Sequence, residues 1–376
     1  MKLLMIIRFF FTSDNSQLRK SLFFPLIGIF LATFIILITF SIMDGMQGKI
    51  EEKIVKFEYP YLVKNYNLNK VNNKNFSNCG TSKISLLNNS NLVKVKIYNN
   101  FDDYVSNIEE YISVSKKIES NSIFIGSNLA NNLNLNIGDS LELSAITDVN
   151  YITGSIQKKD FIVSGIFKFN FMNFDDDFCI ISYDSASKLF KLDGFVDFYF
   201  LNQKAALNFT SLNKINQDSL ISYKDIYYDL LTAIEIEKIF YVLIGYFTVL
   251  IAGVMIYNNS ILTYLEKRRQ YSILSIIGLN KRKILYGILI NNNFLVLIFY
   301  FFGLLFSLLV VFLNSKYEIM NLVFINMPFD KLPMSISVFR ILESLIFVIL
   351  VINFSVLFPY FKYRNNDLHL ESKEVN

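Results

Sequence analysis

Tryptophan is absent from this chain of 376 residues, and histidine, cysteine and proline are scarce. The single histidine, His369, lies in a polar C-terminal tail, which excludes a His–Cys metal site and a Ser-His-Asp arrangement. No G-x-x-x-x-G-K-[ST] loop is present, so the chain cannot bind nucleotide in the manner of a P-loop protein. The sequence therefore predicts no catalytic residue, no cofactor and no metal site.

Charge is also scarce, because charged residues make up only 18% of the chain while 53% of it is hydrophobic. The mean hydropathy is +0.38. This composition excludes a fully disordered chain and argues against a wholly soluble enzyme, since the apolar runs need a dry environment. The net charge of +4 is too small to indicate nucleic-acid binding.

The apolar excess lies in long uncharged runs, each close to the 20 or so helical residues that span a bilayer. They predict transmembrane helices at 21–43, 239–265, 284–315 and 341–361. For the first run the alternative is a cleaved signal peptide. Its length and the lack of a small-x-small site before Asp44 favour an uncleaved anchor.

Basic residues are concentrated before the first run, between the second and third, and after the fourth, which predicts that these flanks are cytoplasmic. We therefore expect a multi-pass protein of the inner (cytoplasmic) membrane with both termini in the cytoplasm. Its remaining segments are a cytoplasmic amphipathic N-terminus (1–20), a periplasmic domain with a stalk helix (44–238), a cytoplasmic coupling loop (266–283), an extracytoplasmic loop (316–340) and a cytoplasmic tail (362–376).

The segment between the first two spans has ordinary soluble composition and alternating short strands. Strands are predicted at 92–98, 123–125, 141–145, 161–167, 178–181 and 196–201, and helices at 127–133, 184–190 and 203–212. The fold class is an α-helical membrane protein, with four transmembrane helices and a large extracytoplasmic α+β domain between the first and second. A helical pattern at 227–238 runs without a breaker into the second span, as a stalk or as a plain connector.

Two smaller features of this domain have structural interpretations. Cys79 and Cys179 both lie in it, where a disulfide is chemically permitted, but sequence separation does not decide whether they pair. The acidic run Asp175-Asp176-Asp177 could bind calcium, but further oxygen ligands are not spaced around it. We interpret it as a solvated loop tip.

The loop between the second and third spans combines a charge cluster with an aliphatic face. It predicts a short helix at the membrane surface, which is either a basic interfacial loop or a docking element for a cytoplasmic partner. The residues proposed to couple to an ATPase are Glu266, Lys267, Arg268, Arg269, Ile273, Leu274, Ile277 and Gly278.

Several short motifs resemble those of one permease family. The first span ends in Ser41-Ile42-Met43-Asp44-Gly45-Met46, similar to the family's S-[IV]-M-[ND]-G-[FM] stretch. Gly126-Ser127-Asn128-Leu129-Ala130 with Leu135 to Asp139 resembles G-x-x-L-A…L-x-x-G-D, and Glu237-Lys238 matches the E-K pair before the second span. Glu266 to Gly278 resembles the E-K-[RT]-[RK] segment. Together they are similar to the lipoprotein-releasing (Lol) ABC transporter permeases, the LolC/LolE family of the FtsX/MacB-like superfamily.

The resemblance implies a permease subunit, without enzyme activity of its own, that extracts lipoproteins from the inner membrane and passes them to a periplasmic carrier. The implied partners are cytoplasmic ABC ATPase subunits, a second permease subunit (the same or a related chain), the lipoprotein and the carrier. Phe30, Phe34 and Phe40 would line a lipid groove. Alternatives are an FtsX/MacB-type permease exporting a small molecule or lipid, and a membrane-anchored signalling or scaffold protein without transport.

Overall fold

A computed structural model describes residues 23–67, 79–88, 91–115, 121–146, 148, 154–192, 195–213, 215, 219–318 and 332–371. The chain divides into two compact units. One comprises Met1–Gln47 and Ala233–Asn376, and the other Gly48–Thr232. The predicted N-terminal segment 1–20 and the end of the predicted tail, 372–376, lie outside the described residues, as does most of the predicted loop 316–340.

The described part of the chain contains both helices and strands. The helices are α1 (Phe23–Glu58), α2 (Phe101–Asn107), α3 (Ser127–Asn132), α4 (Phe174–Asp177), α5 (Tyr183–Ala186), α6 (Gln203–Leu212), α7 (Tyr223–Ile226), α8 (Tyr228–Ile276), α9 (Lys281–Tyr317) and α10 (Val338–Glu371). The strands are β1 (Tyr61–Asn67), β2 (Cys79–Leu87), β3 (Asn91–Tyr98), β4 (Ile112–Ser115), β5 (Ser122–Gly126), β6 (Ser140–Ser144), β7 (Lys158–Phe167), β8 (Phe178–Ser182), β9 (Phe195–Phe200) and β10 (Leu220–Ser222).

Among the described residues, the helices α1, α8, α9 and α10 are long and apolar enough to cross a membrane, as the uncharged runs predict. They pack around one apolar cluster that includes Ile36, Phe40, Ala252 and Ile352. Many of their other large apolar side chains are exposed. An apolar exterior of this kind is what a lipid environment requires of a helical bundle.

Helix α8 is much longer than the predicted second span. It begins at Tyr228, continues through the predicted stalk and span, and ends at Ile276. The helical pattern at 227–238 is therefore continuous with the second apolar run, but the prediction of a separate short helix in the 266–283 loop is wrong. No glycine or proline interrupts the chain between Gly253 and Gly278, so the helix has no reason to end at the membrane surface.

The second unit contains a mixed sheet in the order β10-β1-β9-β2-β3-β8-β5-β7-β4, in which β6 pairs with both β2 and β7. The pairs β3–β8 and β5–β7 are parallel and the others antiparallel. Because β6 bridges β7 to β2, the strands β2, β3, β8, β5, β7 and β6 form a closed ring. One apolar cluster, including Val95, Ile125, Phe161 and Ile181, draws most of its buried residues from this ring.

All six predicted strands form, and the described residues contain further ones at β1, β2, β4 and β10. Helices α3 and α6 also match the predictions at 127–133 and 203–212. The helix predicted at 184–190 is wrong in its second half, because α5 ends at Ala186. Tight turns follow it, in which the amides of Leu189 and Phe190 donate to the Ala186 carbonyl.

The prediction that the acidic run Asp175-Asp176-Asp177 is a solvated loop tip is wrong for Asp175. Asp175 is not on a solvated tip but is buried in α4, where its carboxylate accepts hydrogen bonds from the amides of Phe169 and Asn170 at 2.8 and 2.6 Å. Burial raises the pKa of this carboxyl group, and the two amides oppose the shift. Cys79 and Cys179, in β2 and β8, are both buried free thiols.

Candidate functional site

The turn between α8 and α9 is fixed by its own sequence. Gly278 adopts φ of +97°, a left-handed conformation that glycine tolerates best. The amide of Leu279 donates to the Leu274 carbonyl at 3.0 Å, which closes a Schellman-type cap on α8. Asn280 then caps α9, because its side chain accepts a hydrogen bond from the Arg282 amide at 3.2 Å. The change in helix direction is therefore encoded within three residues.

Aliphatic side chains project outward at this turn. Ile276 and Ile277 are 84% and 72% exposed, and Ile273 is 52% exposed on the preceding helical turn. Leu279 adds another exposed apolar side chain. Glu266, Arg269, Arg282 and Lys283 are also exposed nearby. We call the exposed set Ile273, Ile276, Ile277 and Leu279 the aliphatic turn.

Other predicted coupling residues point inward. Leu274 is half-buried and packs with Tyr271 and Ile284, so it ties the end of α8 to the start of α9. Lys267 is buried, with 2% of its surface exposed, and therefore does not belong to an outer basic face. The side chain of Arg268 lies outside the described residues. The structure thus separates the predicted set into an outward group and a packing group.

The three phenylalanines predicted to line a lipid groove do not share one environment. Phe30 and Phe34 are half-buried and face Phe306 of α9, with ring centroids 5.9 and 5.1 Å apart. Phe40 is only 1% exposed and packs edge-on against Tyr246 of α8. In this arrangement Phe40 is a core residue of the bundle and does not face lipid.

A charged cluster joins α1, α8 and α10 close to Phe40. The Asp44 carboxylate lies 2.6 Å from Lys238 Nζ and 3.2 Å from Arg340 Nε. Arg340 also pairs with Glu343 at 2.6 Å, and Glu343 accepts a hydrogen bond from the Tyr246 hydroxyl. The charged side chains are all less than one third exposed, so they interact more strongly than surface pairs.

The segment that leads into α10 rests directly on α1. The amide of Ser335 donates to the Ser41 carbonyl at 3.0 Å, and Asn314 of α9 donates to the Leu332 carbonyl at 3.0 Å. A Cβ at Gly45 would lie only 2.2 Å from the Pro333 carbonyl oxygen, so only glycine permits this approach. The Ser41-to-Gly45 stretch, noted above as a motif, is thus a packing surface.

The charged cluster is not among the predicted site residues. The sequence nevertheless contained a signal, because Asp44, Lys238 and Arg340 directly adjoin predicted spans and Glu343 lies within the last of them. Charges at such positions need partners where they enter an apolar environment. Their mutual pairing depends on how the helices are arranged, which the sequence does not specify.

Comparison with known proteins adds to this geometry. Residues 242–368 match the family described as FtsX-like permease C-terminal. The chain is 25% identical to the lipoprotein-releasing system transmembrane protein LolC of Buchnera aphidicola subsp. Schizaphis graminum (strain Sg), over 366 residues that cover 86% of each protein. The crystal structure of the periplasmic region of MacB from Actinobacillus actinomycetemcomitans aligns with 45% of this chain and 84% of that one, at 11% identity and a TM-score of 0.28. A TM-score this low does not bear on the fold of this chain.

The family match covers most of α8, the aliphatic turn, α9 and most of α10. Together with the LolC relative it indicates a transport permease rather than an enzyme. ATP hydrolysis therefore belongs to a partner protein, and a second permease subunit completes the assembly. The several apolar helices place the chain in the inner membrane as a multi-pass protein. Residues 242–368 of the chain are accordingly similar to the FtsX-like permease C-terminal family, and most of its length is similar to a LolC protein.

Proposed function

We propose that this chain is the permease subunit of an ABC transporter that releases lipoproteins from the inner membrane. A separate ATPase binds the aliphatic turn, and its movement drives extraction of the lipoprotein and transfer to a periplasmic carrier. The observation that carries the proposal is the exposed aliphatic turn at the end of a 49-residue helix. The LolC relative supports lipoprotein as the substrate.

The aliphatic turn has the properties of a docking surface. Three isoleucines and a leucine are exposed beside Arg269, Arg282 and Lys283, which gives an apolar centre with a basic rim. The turn itself is rigid, because glycine and asparagine caps close both helices. A partner that binds the turn can therefore move α8 and α9 together instead of only deforming a loop.

The topology of the proposal places both termini and the aliphatic turn in the cytoplasm and the unit Gly48–Thr232 in the periplasm. It rests on the basic flanks of the spans. Energy input is needed because each buried CH₂ of a lipid anchor contributes about 0.8 kcal/mol to membrane retention. Phe30 and Phe34 remain our candidates for residues near the extracted acyl chains, since they lie at the α1–α9 contact.

The docking step is tested with two matched variants on the same helix. Ile276 and Ile236 are both exposed isoleucines of α8, at opposite ends of it. We expect Ile276→Ser to reduce co-purification of the ATPase with the detergent-solubilised chain at least about tenfold, as for an interface residue worth 1.4 kcal/mol or more. Ile236→Ser should leave co-purification unchanged. Equal ATPase recovery with both variants would refute docking at the turn.

The substrate is tested separately by depleting the chain from cells. Lipoproteins with outer-membrane destinations should accumulate in the inner membrane, which fractionation and immunoblotting would detect. If delivery is normal after depletion, and the ATPase co-purifies with the chain from undepleted cells, export of a small molecule or lipid is favoured instead. A chain from which no ATPase can be recovered would favour a scaffold role.

A further inference from the structure

A small cavity with several polar side chains in its lining lies between α8, α9 and α10, and all its lining residues except Tyr271 belong to the candidate membrane spans. Its volume is about 30 Å³, and its lining includes Asn259 and Thr263 of α8, Asn291 of α9 and Tyr360 of α10. Among the described residues that line it, none is charged. Polar side chains at such depth are costly unless they have partners, so the cavity requires an explanation.

The two asparagines lack partners for their oxygens. Asn259 and Asn291 are 8% and 6% exposed, and within the described structure the Oδ1 atom of each has no hydrogen-bond partner. A buried carbonyl oxygen left unpaired is strongly unfavourable, more so in a membrane interior. Because both asparagines line the same cavity, a single occupant that donates hydrogen bonds can satisfy both.

The volume and chemistry restrict what that occupant can be. One water molecule needs roughly 10–15 Å³ of such space, so the cavity has room for about two. Hydroxyl groups of Ser260, Thr263 and Tyr271 supply further polar partners around the amides. The absence of charge from the described lining disfavours an ion. We propose that the cavity is a water-binding site whose water bridges Asn259 and Asn291.

The position of the site gives the water a role in coupling, and this part rests on the proposed function. Tyr271 lines the cavity and also belongs to the small apolar cluster with Leu274 and Ile284 that supports the aliphatic turn. Water exchanges hydrogen-bond partners readily, so α8 and α9 can shift against α10 without leaving the amide oxygens unpaired. The cavity then lies at the point where a displacement of the aliphatic turn would be transmitted to the packed helices α8, α9 and α10.

The water is tested on the unmodified protein by synchrotron hydroxyl-radical footprinting with mass spectrometry, which oxidises side chains next to bound water. Tyr271 and Tyr360 line the cavity and are 8% exposed each. Tyr300 is the matched control, because it is 4% exposed and its hydroxyl hydrogen-bonds to Ile341 and Ser344. We expect the two cavity tyrosines to be oxidised at least about fivefold faster than Tyr300. Equal rates would overturn the proposal.

A double variant, Asn259→Leu with Asn291→Leu, tests which groups hold the water. It keeps the side-chain size but removes the amides, so oxidation of Tyr271 and Tyr360 should fall to the rate of Tyr300. Unchanged oxidation would show that the asparagines do not hold the water. In the assembled transporter the same variant should retain ATP hydrolysis while substrate release falls. A footprint that persists when no ATPase co-purifies would sink the proposed function and leave the water site intact.

Discussion

Replacing Gly45 by alanine tests the contact between α1 and the segment before α10. A methyl group at Gly45 would lie 2.2 Å from the Pro333 carbonyl oxygen and 2.9 Å from the Met334 Cα. Gly48 is three residues further along the same helix, and a Cβ there would meet nothing within 4 Å. The pair Gly45→Ala and Gly48→Ala therefore differs in packing but not in the kind of substitution.

The expected magnitudes follow from helix propensity and steric overlap. Alanine is favoured over glycine in a helix interior by about 1 kcal/mol, so Gly48→Ala should stabilise the chain by that amount. Gly45→Ala makes the same gain but overpacks the contact, which costs about 1–3 kcal/mol. The overlapping atoms are backbone and cannot rotate away. If Pro333 shifts, the Ser335–Ser41 hydrogen bond is also strained, at roughly 1 kcal/mol more.

The two variants should consequently differ in stability by roughly 1–4 kcal/mol, with Gly45→Ala the less stable. Because the chain has no tryptophan, unfolding is best followed by size-exclusion chromatography of a fluorescent-protein fusion heated in detergent. At roughly 2–4 °C per kcal/mol for a domain of 150–250 residues, the difference in Tm should be at least about 2 °C. If Gly45→Ala melts at or above Gly48→Ala, the segment does not rest on α1.

Further predictions concern buried charges and thiols. Asp44→Asn should destabilise the bundle by roughly 1–3 kcal/mol in the same melting assay, because Lys238 and Arg340 lose their shared carboxylate. Lys96→Met should destabilise the chain by roughly 3 kcal/mol or more, since it breaks a buried ion pair with Glu58 at 2.7 Å. If the double variant Lys96→Met/Glu58→Gln regains stability, the unpaired Glu58 carboxylate is the cause. Burial raises the pKa of the Cys79 thiol to about 11, so its alkylation by iodoacetamide at pH 8 should begin only when the chain unfolds. Rapid labelling of Cys79 in the native chain would contradict this burial.

Lys96 also gives a pH dependence with a definite sign. Burial lowers the pKa of its ammonium group in the folded protein below 10.5, although Glu58 opposes the shift. The unfolded chain therefore binds more protons in the window between the two pKa values, and stability should rise with pH across it. Lys96→Met should abolish this rise. A wild-type chain whose Tm stays flat on moving up through that window would contradict the assigned burial of Lys96.

Local sequence accounts well for the features that depend on neighbouring residues. The α8–α9 turn follows from Gly278 and Asn280. The apolar alternation of β3 and β7 predicts strands, although the later part of each strand is buried on both faces. Strand β1 is different, since it is specified by its pairing with the distant strands β9 and β10. Asp175 is likewise buried only because the amides of Phe169 and Asn170 lie around it.

The candidate site shows the same division. The sequence predicts an aliphatic and basic segment between two spans, and the isoleucines of this segment are exposed in the structure. It does not separate Lys267, which is buried, from Arg269, which is exposed. Those residues differ in orientation only because α8 continues past the predicted membrane boundary. The sequence shows Asn259 and Asn291 as polar residues within apolar runs, but it does not show that they line the same cavity.

Hydropathy and length alone predict the four candidate membrane-spanning helices found among the described residues, because spanning a bilayer requires a long and predominantly apolar helix. Glycine and asparagine caps determined where α8 turns into α9, since they act through adjacent backbone groups. Tertiary structure decided which charges pair, which phenylalanines face the core and which asparagines share a cavity. Those outcomes depend on how the helices are rotated about their axes, and rotation is set by packing between segments far apart in the sequence.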